Sequence, residues 1–332
     1  MRNLPRFCDY LASDKFVAAP FFAPRCKISM HPLSDNADGA QPLVTLTGCT
    51  GFIGSHVARL FLQDGGYRVR GAVRDAANQS KLEPLKQALG AELFAKMEFA
   101  TVNLQDEASM TQAIAGSTYV VHMASPIDMS LTTEEEFIRP AVDGTLCALK
   151  ACKANGVRRL VITSSTATVE TPAEGSQPAN GILDESVWSE VKAETEGMFQ
   201  MYAKSKIMAE KAAWEFQASL PASEKFEVVT ILPSATLGPN LKKEENASGM
   251  WLRMLMTGQL PQIGPGGWVC CDVREVAFAH LQAIKVPAAA NRRFLVSSKA
   301  CSFAECARPV IDKYAPQGWP VCQNFAEEDG GW

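Results

Sequence analysis

"TLTGCTGFIGSH", Thr45 to His56, continues an apolar run that begins at Leu43 and sets glycines at positions 48, 51 and 54. A glycine-rich turn that ends a strand and opens a helix gathers backbone N–H groups and the positive end of the helix dipole at one point, which suits a pyrophosphate. Gly48 would allow the tight turn, Gly51 the close approach of the phosphate, and Gly54 the packing of helix on strand. Any tight turn can use glycine, so the surroundings decide.

From Leu43 onward, short β-rich runs alternate with longer helical patterns. The runs are Leu43–Thr47, Ile53–Gln63, Tyr67–Val73, Leu82–Ala95, Phe99–Val102 and Ala108–Ala115, then Tyr119–His122, Glu134–Ala154, Leu160–Thr163, Tyr202–Ser219 and Phe226–Leu232. Strict alternation implies right-handed βαβ crossovers and a parallel sheet buried on both faces, so the predicted class is α/β, a doubly wound Rossmann fold. After Pro233 the regularity fades into shorter elements punctuated by Gly, Pro and Trp, as expected of a small substrate lobe added at the carboxyl ends of the strands. The expected division is a dinucleotide-binding domain over 42–235, with helix 273–285 packing back onto it, and a lobe over 236–332.

Residues 1–41 hold Pro5, Pro20, Pro24 and Pro32 and show no steady period, and they read as an unstructured or targeting extension. Asp9 and Asp14 ahead of the apolar stretch Phe16–Pro24 argue against a secretory signal. An organelle transit peptide and a true start at Met30 stay open.

The chain has 332 residues and a formal net charge of -4, with Lys and Arg scattered rather than clustered, so no nucleic-acid partner is expected. Every long uncharged stretch is interrupted, so no membrane span is expected either. The ten cysteines form no C-x-x-C pair and the four histidines lie far apart, which disfavours zinc, any other metal site and a disulfide framework. A reducing compartment, most simply the cytoplasm, follows. Cys147, Cys152 and Cys306 read as small buried hydrophobes, and the adjacent Cys270 and Cys271 are the one candidate for redox chemistry. His122 reads as a buried sheet residue, His280 as a satisfied helix histidine, and Trp188, Trp214 and Trp251 as packing. Met250, Trp251, Met254, Leu255 and Met256 fit either lobe packing or an apolar pocket wall.

The second strand chooses the dinucleotide. It runs "YRVRGAVRD" from Tyr67 and reaches Arg74 before any acid. A carboxylate there would bind a ribose 2′-hydroxyl, whereas a guanidinium fits a 2′-phosphate, so NADP(H) is expected over NAD(H). The chemistry lies in "MYAKSK", Met201 to Lys206: Tyr202 and Lys206, four apart, share a helix face, and an ammonium beside a phenol favours the phenolate. The stretch "RRLVITSS" delivers Ser164, Ser165 and Thr166 to the carboxyl edge of the sheet, where a hydroxyl can stabilise charge on a carbonyl oxygen.

Together with "VVHMASP", "DESVWSE", "YAKSKIMAEKAAWEF", "LPSATLGP" and "CDVREVAFAH", these pieces resemble the extended short-chain dehydrogenases/reductases. Within them the likeness is to the dihydroflavonol 4-reductase group and its relatives, the aldehyde and methylglyoxal reductases and cinnamoyl-CoA reductase. The resemblance spans roughly Leu43 to Tyr314 and implies roles by position. Gly48, Gly51 and Gly54, with the backbone of Phe52 and Ile53, would hold the pyrophosphate; Arg74 and Lys81 the 2′-phosphate; Asn103 and Leu104 the adenine side. Ala124, Ser125 and Pro126 would pass beneath the cofactor, and Pro233 and Ser234 would flank the nicotinamide. Ser165, Tyr202 and Lys206 match the catalytic triad, with Tyr202 and Lys206 also touching the cofactor, and Ser125, Ile127, Thr166 and Glu170 would meet substrate. The implied reaction is NADPH-dependent reduction of an aldehyde or ketone, with Tyr202 protonating the oxygen, Ser165 positioning it, and Lys206 lowering the phenol's pKa and holding the ribose.

Four departures accompany the likeness, one being that "FQMYAKSK" lacks the N-W-Y-C-Y-G-K form associated with cinnamoyl-CoA reductases. Asn103 replaces the usual aspartate, Glu170 stands where flavonoid reductases carry an asparagine, and the chain ends at "FAEEDGGW", short of the usual family end, so the lobe is expected to be shortened. The same superfamily contains hydroxysteroid dehydrogenases and nucleotide-sugar epimerases, and a non-catalytic NADP-binding redox sensor is the reading of a different class. The partner expected is a small carbonyl compound, and the protein a monomer or homodimer.

Overall fold

The computed structural model describes residues 40–125, 133–195, 197–242 and 247–326. Nearly all of the extension read over 1–41 lies outside them, as do Pro126, Ile127 and most of "FAEEDGGW".

Within the described residues the chain forms two compact units, one of 40–233 and 276–296, the other of 234–275 and 297–326. The larger begins with β1 (Leu43–Thr47), α1 (Phe52–Asp64), β2 (Arg68–Val73), α2 (Gln79–Leu89), α3 (Ala91–Phe94), β3 (Met97–Thr101), α4 (Glu107–Ala113) and β4 (Tyr119–His122). It continues with α5 (Glu134–Ala154), β5 (Arg159–Thr163), α6 (Gly197–Ser219) and β6 (Glu227–Pro233). Seven strands pair in parallel in the order β3-β2-β1-β4-β5-β6-β9, where β9 is Arg292–Val296. The direction of winding reverses between β1 and β4, so the ends of those strands, Thr47 and His122, form the topological switch point where such sheets bind ligands.

Period-2 alternation divides the strand side chains between two cores. Val44, Leu46, Val121, Val161 and Val229 face α1, α2 and Ala277, Leu281 and Ile284 of α8 (Val273–Lys285). Val120, Leu160, Ile162 and Val228 face Met110 of α4, Leu149 and Cys152 of α5 and Ala213 of α6. The end of α8 is held by Arg159, 1% exposed, whose guanidinium donates to the carbonyls of Ala283, Ile284, Val286 and Pro287 at 2.5–3.3 Å and to Glu227 Oε2 at 2.6 Å. Carbonyls left over at a helix C-terminus need such donors.

Two details differ from the sequence reading. The helix expected over Leu82–Ala95 breaks at Gly90, whose φ of +80° is open to glycine and costly to other residues, so α2 stops there and α3 starts afresh. The helix carrying Tyr202 starts five residues earlier than expected, at Gly197.

In the smaller unit, β7 (Ala235–Leu237), β8 (Gly267–Asp272) and β10 (Lys299–Ser302) form a three-stranded sheet in the order β10-β8-β7. Its core joins Leu255 and Met256 of α7 (Ala247–Met256) to Ala307 and Tyr314 of α9 (Phe303–Tyr314) and to Val321. Trp251 stacks on Phe303 with ring centroids 5.3 Å apart, so Trp251, Leu255 and Met256 serve as packing. Among the described residues no helix is long and apolar enough to cross a membrane.

Candidate active site

β1 leaves the sheet through Gly48, which adopts φ +73°. A Cβ on Gly48 would lie 2.8 Å from the Ala124 backbone nitrogen, and one on Gly54 would lie 2.0 Å from the Gly48 carbonyl oxygen. Turn, helix and β4 end are therefore as close as backbones come, and only glycine fits at 48 and 54. At Gly51 the helix starts with no side-chain cap and no acid in its first turn, which leaves the N-terminus of α1 suited to an anion. Thr47 Oγ1 closes the floor of this cradle, accepting from the Ala124 N–H at 3.3 Å and hydrogen-bonding His122 Nδ1 at 2.9 Å.

Arg74, at the end of β2, and Lys81, in the first turn of α2, are exposed, and among the described residues neither side chain has an ion-pair partner. Two unpaired cations on adjacent elements suit a phosphate. Asn103 uses its side-chain oxygen to accept from the Gln105 N–H at 3.2 Å, capping its own turn, and Leu104 packs against the α5-side core. Ser125 follows the β4 end, while Pro126 and Ile127 lie outside the described residues. Pro233 is the buried last residue of β6, and the buried Ser234 Oγ has no hydrogen-bond partner. A cradle closed to any Cβ and two unpaired cations in the same unit together fit a phosphorylated dinucleotide.

The chemistry-bearing groups converge at the carboxyl end of β5. Ser165 caps the single turn Thr166–Thr168, its Oγ accepting from the Ala167 N–H at 3.2 Å, and it stands close enough to the Tyr202 hydroxyl to act on its ionisation. Lys206, one turn further along α6, places Nζ 5.9 Å from the Tyr202 ring centroid and donates to the Thr163 carbonyl at 3.4 Å. The lysine thus engages the strand end rather than the phenol oxygen. Burial pushes the Tyr202 phenol above its ordinary value, the neighbouring Ser165 hydroxyl works against this, and the Glu170 charge adds to it. The phenol is shifted up, not down as the Tyr-x-x-x-Lys spacing suggested, because burial outweighs its polar neighbours. Burial lowers Lys206 to about 8, with Glu210 opposing. His122 is held at about 4 by burial and then by the Lys206 charge, so it is neutral, as is His280, which burial also brings to about 4 and which bonds Thr163 Oγ1 and the Val276 carbonyl, each at 2.7 Å. Thr166 is buried beside Ser165, and Glu170 is exposed.

Sequence reasoning missed the support beneath this group. Glu210, four residues after Lys206, is buried and accepts from Ser164 Oγ at 2.5 Å, Thr230 Oγ1 at 2.8 Å and Arg293 Nε at 2.8 Å. Arg293 lies 3.7 Å over the Trp188 ring and donates to the carbonyls of Glu185 and Val187 and to Thr168 Oγ1. One buried ion pair therefore ties the helix of Tyr202 and Lys206 to the end of β5, to the turn after Ser165 and to the "DESVWSE" loop. The available signal was Glu210 on the same helix face as Tyr202 and Lys206.

Residues 44–296 match the NAD dependent epimerase/dehydratase family. Tetraketide alpha-pyrone reductase 1 of Arabidopsis thaliana is 35% identical over 294 residues, covering 87% of this chain and 85% of that protein. Dihydroflavonol 4-reductase of Hordeum vulgare is 34% identical over 310 residues, covering 88% and 80%. Among solved structures, yeast methylglyoxal/isovaleraldehyde reductase Gre2 complexed with NADPH superimposes with a TM-score of 0.74 at 28% identity, covering 87% of this chain and 86% of its own.

Proposed function

The chain belongs to the NAD dependent epimerase/dehydratase family, and on that footing we propose that it reduces an aldehyde or ketone carbonyl to an alcohol with NADPH. It is an NADP-dependent oxidoreductase. The observation that carries the substrate side is the juxtaposition of Ser165 and Tyr202 at the end of β5, with Lys206 on the same helix face.

NADPH, when bound, supplies the hydride. The remaining work falls to the chain. Backbone N–H groups from Gly51 to Gly54 would hold the pyrophosphate, Arg74 and Lys81 the 2′-phosphate, Asn103 and Leu104 the adenine side, and Ala124, Ser125, Pro126, Pro233 and Ser234 the nicotinamide end. A substrate carbonyl oxygen taking hydrogen bonds from both Ser165 and Tyr202 is polarised, and the charge developing on it is stabilised. Because its pKa is raised, Tyr202 is protonated at neutral pH, the state a proton donor must occupy for reduction. The Lys206 ammonium, held at the Thr163 carbonyl, offers donors to the ribose hydroxyls. Thr166 and Glu170 flank the position where the rest of the substrate would sit, and an exposed carboxylate at 170 favours substrates with a hydroxyl near the carbonyl.

The test is NADPH oxidation, followed spectroscopically, with a panel of aldehydes, 1,2-dicarbonyls, β-keto esters and a dihydroflavonol, alongside Tyr202→Phe. Turnover lost in the variant supports the reading. NADPH binding with no turnover on any carbonyl overturns it in favour of a sensor.

A further inference from the structure

The smaller unit gathers three thiols around one sulfur. β8 and β10 pair antiparallel with Cys301 opposite Trp268 and Lys299 opposite Cys270. Side chains alternate along a strand, so Trp268, Cys270 and Cys301 project from one face of this pair. α9 turns Phe303, Ala307, Val310 and Tyr314 into the unit's core, and Cys306, three residues after Phe303, shares that face. There the Cys306 sulfur lies beside the Cys270 and Cys301 thiols, close enough for each to act on its ionisation. Trp268, whose buried Nε1 has no hydrogen-bond partner, lies on the same face, opposite Cys301.

This arrangement differs from that of an inert packing cysteine, which is how Cys306 reads in the sequence. Cys270 is buried, whereas Cys301 and Cys306 are partly exposed, so a small solute can reach them. Two thiols and an indole N–H gathered on the face that meets one sulfur, in the first turns of a helix, favour its thiolate, and the indole N–H, which has no partner, gains a strong acceptor when Cys306 is ionised or oxidised. In keeping with this, the Cys306 thiol is lowered by the neighbouring Cys270 thiol, and Cys270 is raised.

We propose that Cys306 is a peroxide-modified site, and that Cys270 resolves the product into a disulfide joining β8 to α9. The Cys306 thiolate attacks one peroxide oxygen, the O–O bond breaks, and Cys306 sulfenic acid and hydroxide form. The Cys270 thiol then displaces the sulfenic oxygen as water. Two thiols are oxidised, one hydrogen peroxide is reduced to two waters, and reductant thiols reverse the change.

The experiment treats the full-length protein with hydrogen peroxide, blocks remaining thiols and maps peptides by mass spectrometry. Expected are a Cys270–Cys306 disulfide that dithiothreitol removes, and a dimedone adduct on Cys306 in Cys270→Ser. Before oxidation, Cys306 should alkylate near neutral pH about tenfold faster than Cys147, a partly exposed thiol that burial pushes up. That advantage should shrink in Cys270→Ser, whose fold is checked by near-UV circular dichroism. Alkylation no faster than at Cys147, a bridge to Cys301 instead, or peroxide leaving Cys306 unmodified would each overturn the proposal.

Discussion

Replacing Lys206 by Met is expected to stabilise the cofactor-free protein while abolishing its activity. Lys206 is buried and titrates at about 8 rather than 10.5. The unfolded chain therefore holds this proton more tightly than the folded one, so the ammonium costs stability at every pH below about 8. The cost, about 3 kcal/mol from that shift, fades as the pH rises from about 8 to 10.5. Met fills the space of the aliphatic stem and carries no charge. It forfeits the 3.4 Å hydrogen bond to Thr163, worth about 1 kcal/mol, which leaves a net gain of about 2 kcal/mol at neutral pH. The assay is urea unfolding of both proteins without cofactor at about pH 7 and about pH 10, the gain being confined to the lower pH. A Met variant less stable than the parent at neutral pH, or a difference that does not change with pH, would refute the reasoning. Adding NADPH should reverse the order, because the parent alone keeps the ammonium that binds the ribose.

Tyr202→Phe should lower turnover by about a hundredfold or more, with NADPH affinity, read by fluorescence, changed by less than about tenfold. Arg74→Ala should raise the KM for NADPH about tenfold and leave that for NADH unchanged, in steady-state kinetics with each nucleotide. Glu210→Gln leaves buried Arg293 uncompensated and should cost about 3 kcal/mol in urea unfolding, most of it recovered by the double variant Glu210→Gln/Arg293→Met. Gly54→Ala drives a methyl against the Gly48 carbonyl and should abolish NADPH binding in calorimetry, with a loss of about 2 kcal/mol or more in stability.

The α/β alternation and the positions of β4 and α5 could be read from sequence because each depends on local period and on buried strands rich in Val and Ile. Thr133 and Glu136 add a capping box to α5, a local signal that coincides with the expected start. The break at Gly90 was overlooked because the apolar period continues across it. Arg159 could not be read as a helix cap, since its acceptors lie more than a hundred residues along the chain and meet it only after β5 and α8 have packed. The same holds for Arg293 and Trp188. The Tyr202–Lys206 spacing placed both groups on one face correctly, yet the sign of the phenol's shift depends on burial, which spacing does not encode. Cys306 looked like its neighbours in an apolar helix, and only the register of β10 on β8 brings Cys270 and Cys301 beside it.

The central claim is tested most directly with NADPH deuterated at the nicotinamide C4, offered with whichever carbonyl compound the panel selects. The account predicts that mass spectrometry finds deuterium on the alcohol carbon from one face of the nicotinamide only, and that Tyr202→Phe loses the labelled product while still binding the nucleotide. An unlabelled alcohol, or labelling that survives in Tyr202→Phe at the parent's rate, would contradict hydride transfer assisted by this tyrosine.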